Sequence, residues 1–241
     1  MKTSYFSFFL FLLLGVTCAA FAQKTLKFTE QLTYSYQKEG QKKEFSVYLD
    51  RKTSTWLFTN ADSFDGVADG IEFVVAYPNG KYLVCGIDDV NQKFCQTFDA
   101  PLARKNIPKV SGKTLGKTQV FGQNNYGWPT LKAQLYQINA GRMTQEVFLS
   151  TVPFDCRPLY AYNFLLGIEH YLPIFNQIDY PSYLPKNQLI TSDGAFKLVS
   201  LSPTEYFIDL KQYKTIPTKK QKISSLFSHH LSLISSLHFG M

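Results

Sequence analysis

The side chains whose types and spacing could do chemistry fall into three groups. The first is a cysteine pair. Cys85 and Cys95 flank a turn at Asp88-Asp89. If that turn centres near Val90, the two thiols face each other across an antiparallel hairpin, and Tyr82 opposes Phe98 on the same register. Strand neighbours directly opposed at a non-hydrogen-bonded position come close enough for a disulfide. The alternative is two buried thiols, since cysteine is commonly buried without pairing. The second group is acidic. Between Ala61 and Glu72, Ser63, Asp65, Gly66, Asp69 and Glu72 fall at the third, fifth, sixth, ninth and twelfth places of a calcium loop. Asp65, Asp69 and Glu72 are therefore the candidate calcium ligands, and calcium is the one cofactor the sequence raises. Ala61 stands where the first aspartate is needed, and strands rather than helices flank the segment. Both features favour a solvated acidic loop. The third group is the histidines. His170 follows Glu169 directly, so the two would not share a helical face. His229, His230 and His238 lie close to the C-terminus. No G-x-S-x-G, H-E-x-x-H or C-x-x-C is present, which leaves no catalytic residue to nominate and no zinc site. The expectation is a protein that is not an enzyme.

These side chains need elements to position them, and the elements read as strands. Residues 26–36 alternate, with Leu26, Phe28, Leu32, Tyr34 and Tyr36 on one face. A polar turn containing Gly40 leads to Phe45, Val47 and Leu49. Trp56–Phe58, Ile71–Tyr77, Lys81–Gly86 and Lys93–Phe98 follow, with Pro78-Asn79-Gly80 as a turn. Later strands are expected at Thr118–Phe121, Leu131–Ile138, Thr144–Ser150, Phe196–Leu201 and Tyr206–Leu210. Residues 160–175 are the internal helix candidate. Closely spaced strands and turns with no internal repeat point to one all-β domain, a sandwich or barrel.

The ends read differently. Lys2, an apolar run from Phe6 to Val16, and Ala20-Phe21-Ala22 form a removable signal peptide over residues 1–22, which implies export. Residues 23–217 form the domain. Residues 218–241 form a basic, then weakly amphipathic tail. It reads as a loosely docked or disordered end, with a membrane- or partner-facing helix as the alternative. Once Cys18 leaves with the leader, Cys85, Cys95 and Cys156 remain, and an odd count leaves one unpaired or intermolecular. The formal charge of +7 comes mainly from the ends. Without Lys2, Lys211, Lys214, Lys219, Lys220 and Lys222, 19 of the 25 basic residues face 18 acidic ones. A nearly neutral body excludes a nucleic-acid surface. No N-x-S/T sequon occurs.

From Ile71 to Asn163 the chain resembles the ependymin family. The elements are Phe73-Val74-Val75-Ala76-Tyr77, the Asn79-Gly80 turn, Lys93-Phe94-Cys95, Ile107-Pro108, Leu115-Gly116, the region of Trp128, and Thr151 with Cys156-Arg157-Pro158. The resemblance implies two curved antiparallel sheets, a half-barrel or sandwich like the bacterial lipoprotein carriers, enclosing an apolar pocket with one or two minor helices. It also implies a lipid-like hydrophobic ligand, a homodimer, secretion or a lysosomal lumen, calcium binding, and contact with extracellular matrix. The family's further cysteines and its sequons are missing here. By alternation alone, the pocket lining is Phe28, Tyr34, Phe45, Val47, Phe73, Val75, Leu135 and Val147. Three functions are expected in turn: a non-enzymatic carrier of a hydrophobic ligand, a calcium-linked cell–matrix adhesion protein, and a secreted hydrolase.

Overall fold

Residues 25–64, 70–99, 111–122, 129–140, 143–160 and 184–216 are described by a computed structural model. The fold is mainly β. Its strands are β1 (Thr25–Lys38), β2 (Gln41–Asp50), β3 (Thr55–Thr59), β4 (Ile71–Ala76), β5 (Lys81–Ile87) and β6 (Lys93–Asp99). They continue with β7 (Ser111–Phe121), β8 (Leu131–Ala140), β9 (Met143–Thr151), β10 (Gln188–Ser192), β11 (Phe196–Asp209) and β12 (Lys214–Ile216). Minor helical elements are α1 (Asn60–Ser63) and a 3-10 turn (Leu210–Gln212).

All twelve strands join one open hydrogen-bonded sheet in the order β12-β6-β5-β4-β3-β2-β1-β11-β10-β9-β8-β7. Two meanders make it. The first runs outward from β1 to β6. The second runs inward from β7 to β11, which pairs antiparallel with β1. The two expected layers are thus halves of one continuous sheet. Hairpin chemistry sets the local registers. Glu39 and Gly40, with φ of 55° and 77°, form a two-residue turn closed by the Lys38–Gln41 pair. Positive φ at both central residues matches the twist of the flanking strands.

The sheet is strongly curled. β11 ends at Asp209 and β12 begins at Lys214, beside β6. Extended chain covers at most about 17 Å over that interval. In a flat sheet, β11 and β6 would stand roughly 29 Å apart. Strands β1–β6 must therefore bend round until β6 meets the continuation of β11. At the opposite edge, β7 carries exposed Lys113 and Lys117, and its register slips between Thr114 and Thr118 where Gly116 has a φ of 73°. Charge and a bulge at an edge both discourage further strand pairing.

Two apolar clusters hold the fold. The larger gathers Leu32, Tyr34, Phe45, Val47, Trp56, Val74, Tyr82, Val147, Ile190 and Phe196 from both meanders. The segment after β9 packs into it through Phe154, Cys156, Leu159 and Tyr160. Hydrogen bonds fasten that segment down. Trp56 Nε1 donates to the Asp155 carbonyl at 2.8 Å, and Tyr160 Oη donates to the Gln188 carbonyl at 2.8 Å. The smaller cluster holds Phe28, Tyr48, Leu57, Phe73, Val75, Cys85, Cys95 and Ile208, flanked by Tyr206, Leu210 and Tyr213. Strands β3–β5 are consequently buried on both faces, since their adjacent residues belong to opposite clusters.

Of the internal helix candidate over 160–175, only Tyr160 is described, as the last residue of a helical turn over 157–160, and 161–175 lie outside the described residues. So do the leader over 1–22 and the tail over 218–241. Among the described residues, no helix is long and apolar enough to cross a membrane.

Candidate functional site

The smaller cluster opens onto a groove of about 430 Å3 where the end of β11 passes β4. β4 contributes Glu72 and Phe73, β11 contributes Tyr206, and the 3-10 turn leads into Tyr213. Two short caps shape its rim. Thr59 starts α1: its Oγ1 accepts from the Asp62 amide at 3.1 Å and donates to Asp62 Oδ2 at 2.9 Å. Asp209 starts the 3-10 turn by accepting from the Lys211 amide at 2.9 Å. A side-chain oxygen there satisfies an amide that the turn itself leaves unpaired.

Aromatic rings and carboxylates meet at the groove, whose lining also includes Thr59, Asn60 and Gln212. Tyr206 packs on Tyr48 with ring centroids 4.4 Å apart, and Tyr213 meets Phe73 edge-on at 5.4 Å. Tyr48 donates to Asp62 Oδ2 at 2.8 Å, and Tyr213 donates to Glu72 Oε2 at 2.7 Å. Burial first, and then the neighbouring carboxylate, pushes both phenols well above their ordinary value. Tyr206 is shifted the same way by burial and by Asp62. All three hydroxyls are therefore donors at neutral pH and unavailable as bases. Apolar ring surface with fixed polar groups can bind and orient a small molecule.

A second groove, of about 390 Å3, lies on the other meander. Leu135 and Phe148 line it, beside Asp193 at the β10–β11 turn. Asp193 accepts from the Ala195 and Phe196 amides at 2.9 and 3.1 Å, yet burial still holds its carboxyl above the ordinary range.

All eight residues assigned to a pocket by alternation are buried, but they do not share one surface. Tyr34, Phe45, Val47 and Val147 belong to the larger cluster. Phe28, Phe73 and Val75 belong to the smaller, and Leu135 lines the second groove. The correction has a clear physical origin. Phe73 to Ala76 is apolar at every position, so periodicity could not choose a face, and Val74 and Ala76 are the residues that meet the large cluster. In β1 the change of cluster falls at the register shift between Phe28 and Glu30.

The cysteine reading holds. Cys85 and Cys95 pair directly across β5 and β6 and form a disulfide, with Tyr82 opposite Phe98. Cys156 is free and buried. Of the calcium candidates, Asp65 and Asp69 lie outside the described residues. Glu72 accepts from Tyr213 and pairs with Lys93 at 3.4 Å. No group of three or more metal-capable side chains occurs among the described residues. His170 lies outside them too. Tyr206, Tyr213 and Asp62 escaped the sequence reading as site residues. Tyr213 enters the groove only because β12 returns to β6, a long-range pairing with no local signal.

No family model matches the chain, nor does any curated protein or solved structure.

Proposed function

We propose that the protein is an exported, non-enzymatic binding protein for a small hydrophobic, lipid-like molecule, held in the groove between β4 and the end of β11. The observation that carries this reading is the groove itself, at about 430 Å3, where the rings of Phe73, Tyr206 and Tyr213 stand beside polar Asn60, Glu72 and Gln212. Ligand sites commonly occupy about 300–1,000 Å3 and combine apolar walls with a few fixed polar groups. Each methylene removed from water contributes about 0.8 kcal/mol before ordering costs. A short chain therefore suffices for useful affinity without any catalytic group. Export accounts for the disulfide, because such bonds persist in oxidising compartments. The resemblance of elements between Ile71 and Asn163 to the ependymin family, if it reflects kinship, implies the same class of ligand.

The test is a titration with an uncharged fluorescent long-chain alcohol analogue, run on wild type and on Tyr206→Ala. Saturable binding that weakens at least tenfold in the variant supports the proposal. Absence of saturable uptake by the wild type removes it.

A further inference from the structure

Charge around the first groove adds a feature that a purely apolar site would lack. Its two charged lining residues, Glu72 and Asp209, are both acids. Asp62 stands just behind, held by Tyr48 and Thr59 through hydroxyl donors alone. Two nearby lysines are already engaged, while Lys211, in the turn that Asp209 caps, is exposed. Lys93 pairs with Glu72 at 3.4 Å, and Lys27 pairs with Glu205 at 2.6 Å. Among the described residues, neither Asp62 nor Asp209 has a basic partner. Among the described residues, the groove is thus an aromatic recess beside two carboxylates, Asp62 and Asp209, that form no ion pair.

The rings show the same preference. Lys93 Nζ sits 5.1 Å from the centroid of Tyr213, and Lys27 Nζ sits 5.2 Å from that of Phe207. Phe207 also lines the groove and is exposed. Two of the four aromatic side chains that line the groove, Phe207 and Tyr213, therefore already carry an ammonium of the protein's own. A ring face attracts a cation through its quadrupole, and such sites favour quaternary ammonium groups.

Resting on the proposed binding function, we infer that the ligand of this groove is an amphiphile with a cationic amine or quaternary ammonium head and a short apolar tail. The tail lies against Phe73 and Ile208. The head sits among the rings of Tyr206 and Tyr213, within reach of the fields of Asp62 and Asp209. A fatty acid presents the opposite charge and meets repulsion from the same two carboxylates.

Three probes with one tail separate the contributions: decyltrimethylammonium, decanol and decanoate, each below its micelle concentration. Their affinities for the purified disulfide-bonded protein are measured by calorimetry. The charges are removed in the double variant Asp62→Asn/Asp209→Asn, which keeps side-chain oxygens able to accept the same hydrogen bonds. Near-UV circular dichroism checks that the variant is folded. Two carboxylates at a partly exposed site should favour the cationic probe over decanol by about tenfold, an advantage that shrinks in high salt. Loss of this preference in the variant, read as the ratio of the cationic probe's affinity to decanol's, supports the inference. Equal affinities for all three probes in the wild type overturn it while leaving the apolar-binding proposal standing. A cation preference that survives in the variant overturns the assignment to this groove. Failure of all three probes to bind overturns both the inference and the function it rests on.

Discussion

Reduction of the Cys85–Cys95 disulfide should destabilise the protein mainly through the unfolded chain. The bond joins residues 10 apart in sequence, and both are buried. For a closed loop of that size, the loop-closure relation assigns about 2.7 kcal/mol to the unfolded-state entropy that the cross-link removes. Reduction deletes no heavy atom, and only the two sulfurs must move apart, so little packing is lost alongside. The position also matters to the site. Cys85 pairs with Phe73 on one side, and Cys95 pairs with Thr215 of β12 on the other. The bond therefore braces both a groove wall and the strand that brings Tyr213 over it. The assay is urea unfolding of oxidised protein against protein unfolded, reduced and refolded under a phosphine. The reduced form should lose about 2.7 kcal/mol. It should also unfold with a steeper denaturant dependence, because its unfolded chain exposes more surface. Equal midpoints and slopes for the two forms would refute the reasoning, since the hairpin would then need no cross-link to limit its unfolded ensemble.

Further outcomes follow from the buried polar groups. Trp56→Phe strands the Asp155 carbonyl and vacates part of the large cluster, so it should cost about 2–4 kcal/mol. A urea midpoint close to wild type would contradict that fastening. Burial pushes the Cys156 thiol well up, with Asp155 adding to the effect. It should therefore resist a disulfide-exchange reagent at about pH 8 until the protein unfolds, and prompt native labelling would be inconsistent with its burial. Asp193 has its native carboxyl raised by burial. The folded state then holds this proton more tightly than the unfolded chain. Its contribution to stability falls as pH rises from the unfolded value through the raised native one. Asp193→Asn should flatten the stability–pH curve over that window, and an unchanged slope in urea midpoints would count against the shift.

The strands were legible where alternation and turns are local. Leu32, Tyr34 and Tyr36 mark one face of β1, and Asp88-Asp89 places the β5–β6 turn so that Cys85 meets Cys95. Legibility failed where a strand is buried twice over. From Phe73 to Ala76 both faces are apolar, and no periodicity distinguishes the face toward Trp56 from the face toward Tyr213. It failed again where pairing is distant. β10 has five residues, β12 has three, and β12 pairs with a strand more than a hundred positions earlier in the chain. The groove depends on that second closure. Phe73 was named as a pocket residue, but its partners Tyr206 and Tyr213 approach it only through the curl of the sheet. Asp62 falls at no ligand place of the calcium spacing in the acidic segment, and its carboxylate is engaged instead by Tyr48 and Thr59.

The most direct test is to locate a bound chain. Crystals of the protein grown with a terminally brominated decanol can be measured at the bromine absorption edge. The account predicts an anomalous peak in the groove between β4 and the end of β11, beside Phe73 and Tyr206. A peak confined to another part of the molecule, or a groove left empty at saturating ligand, would contradict it.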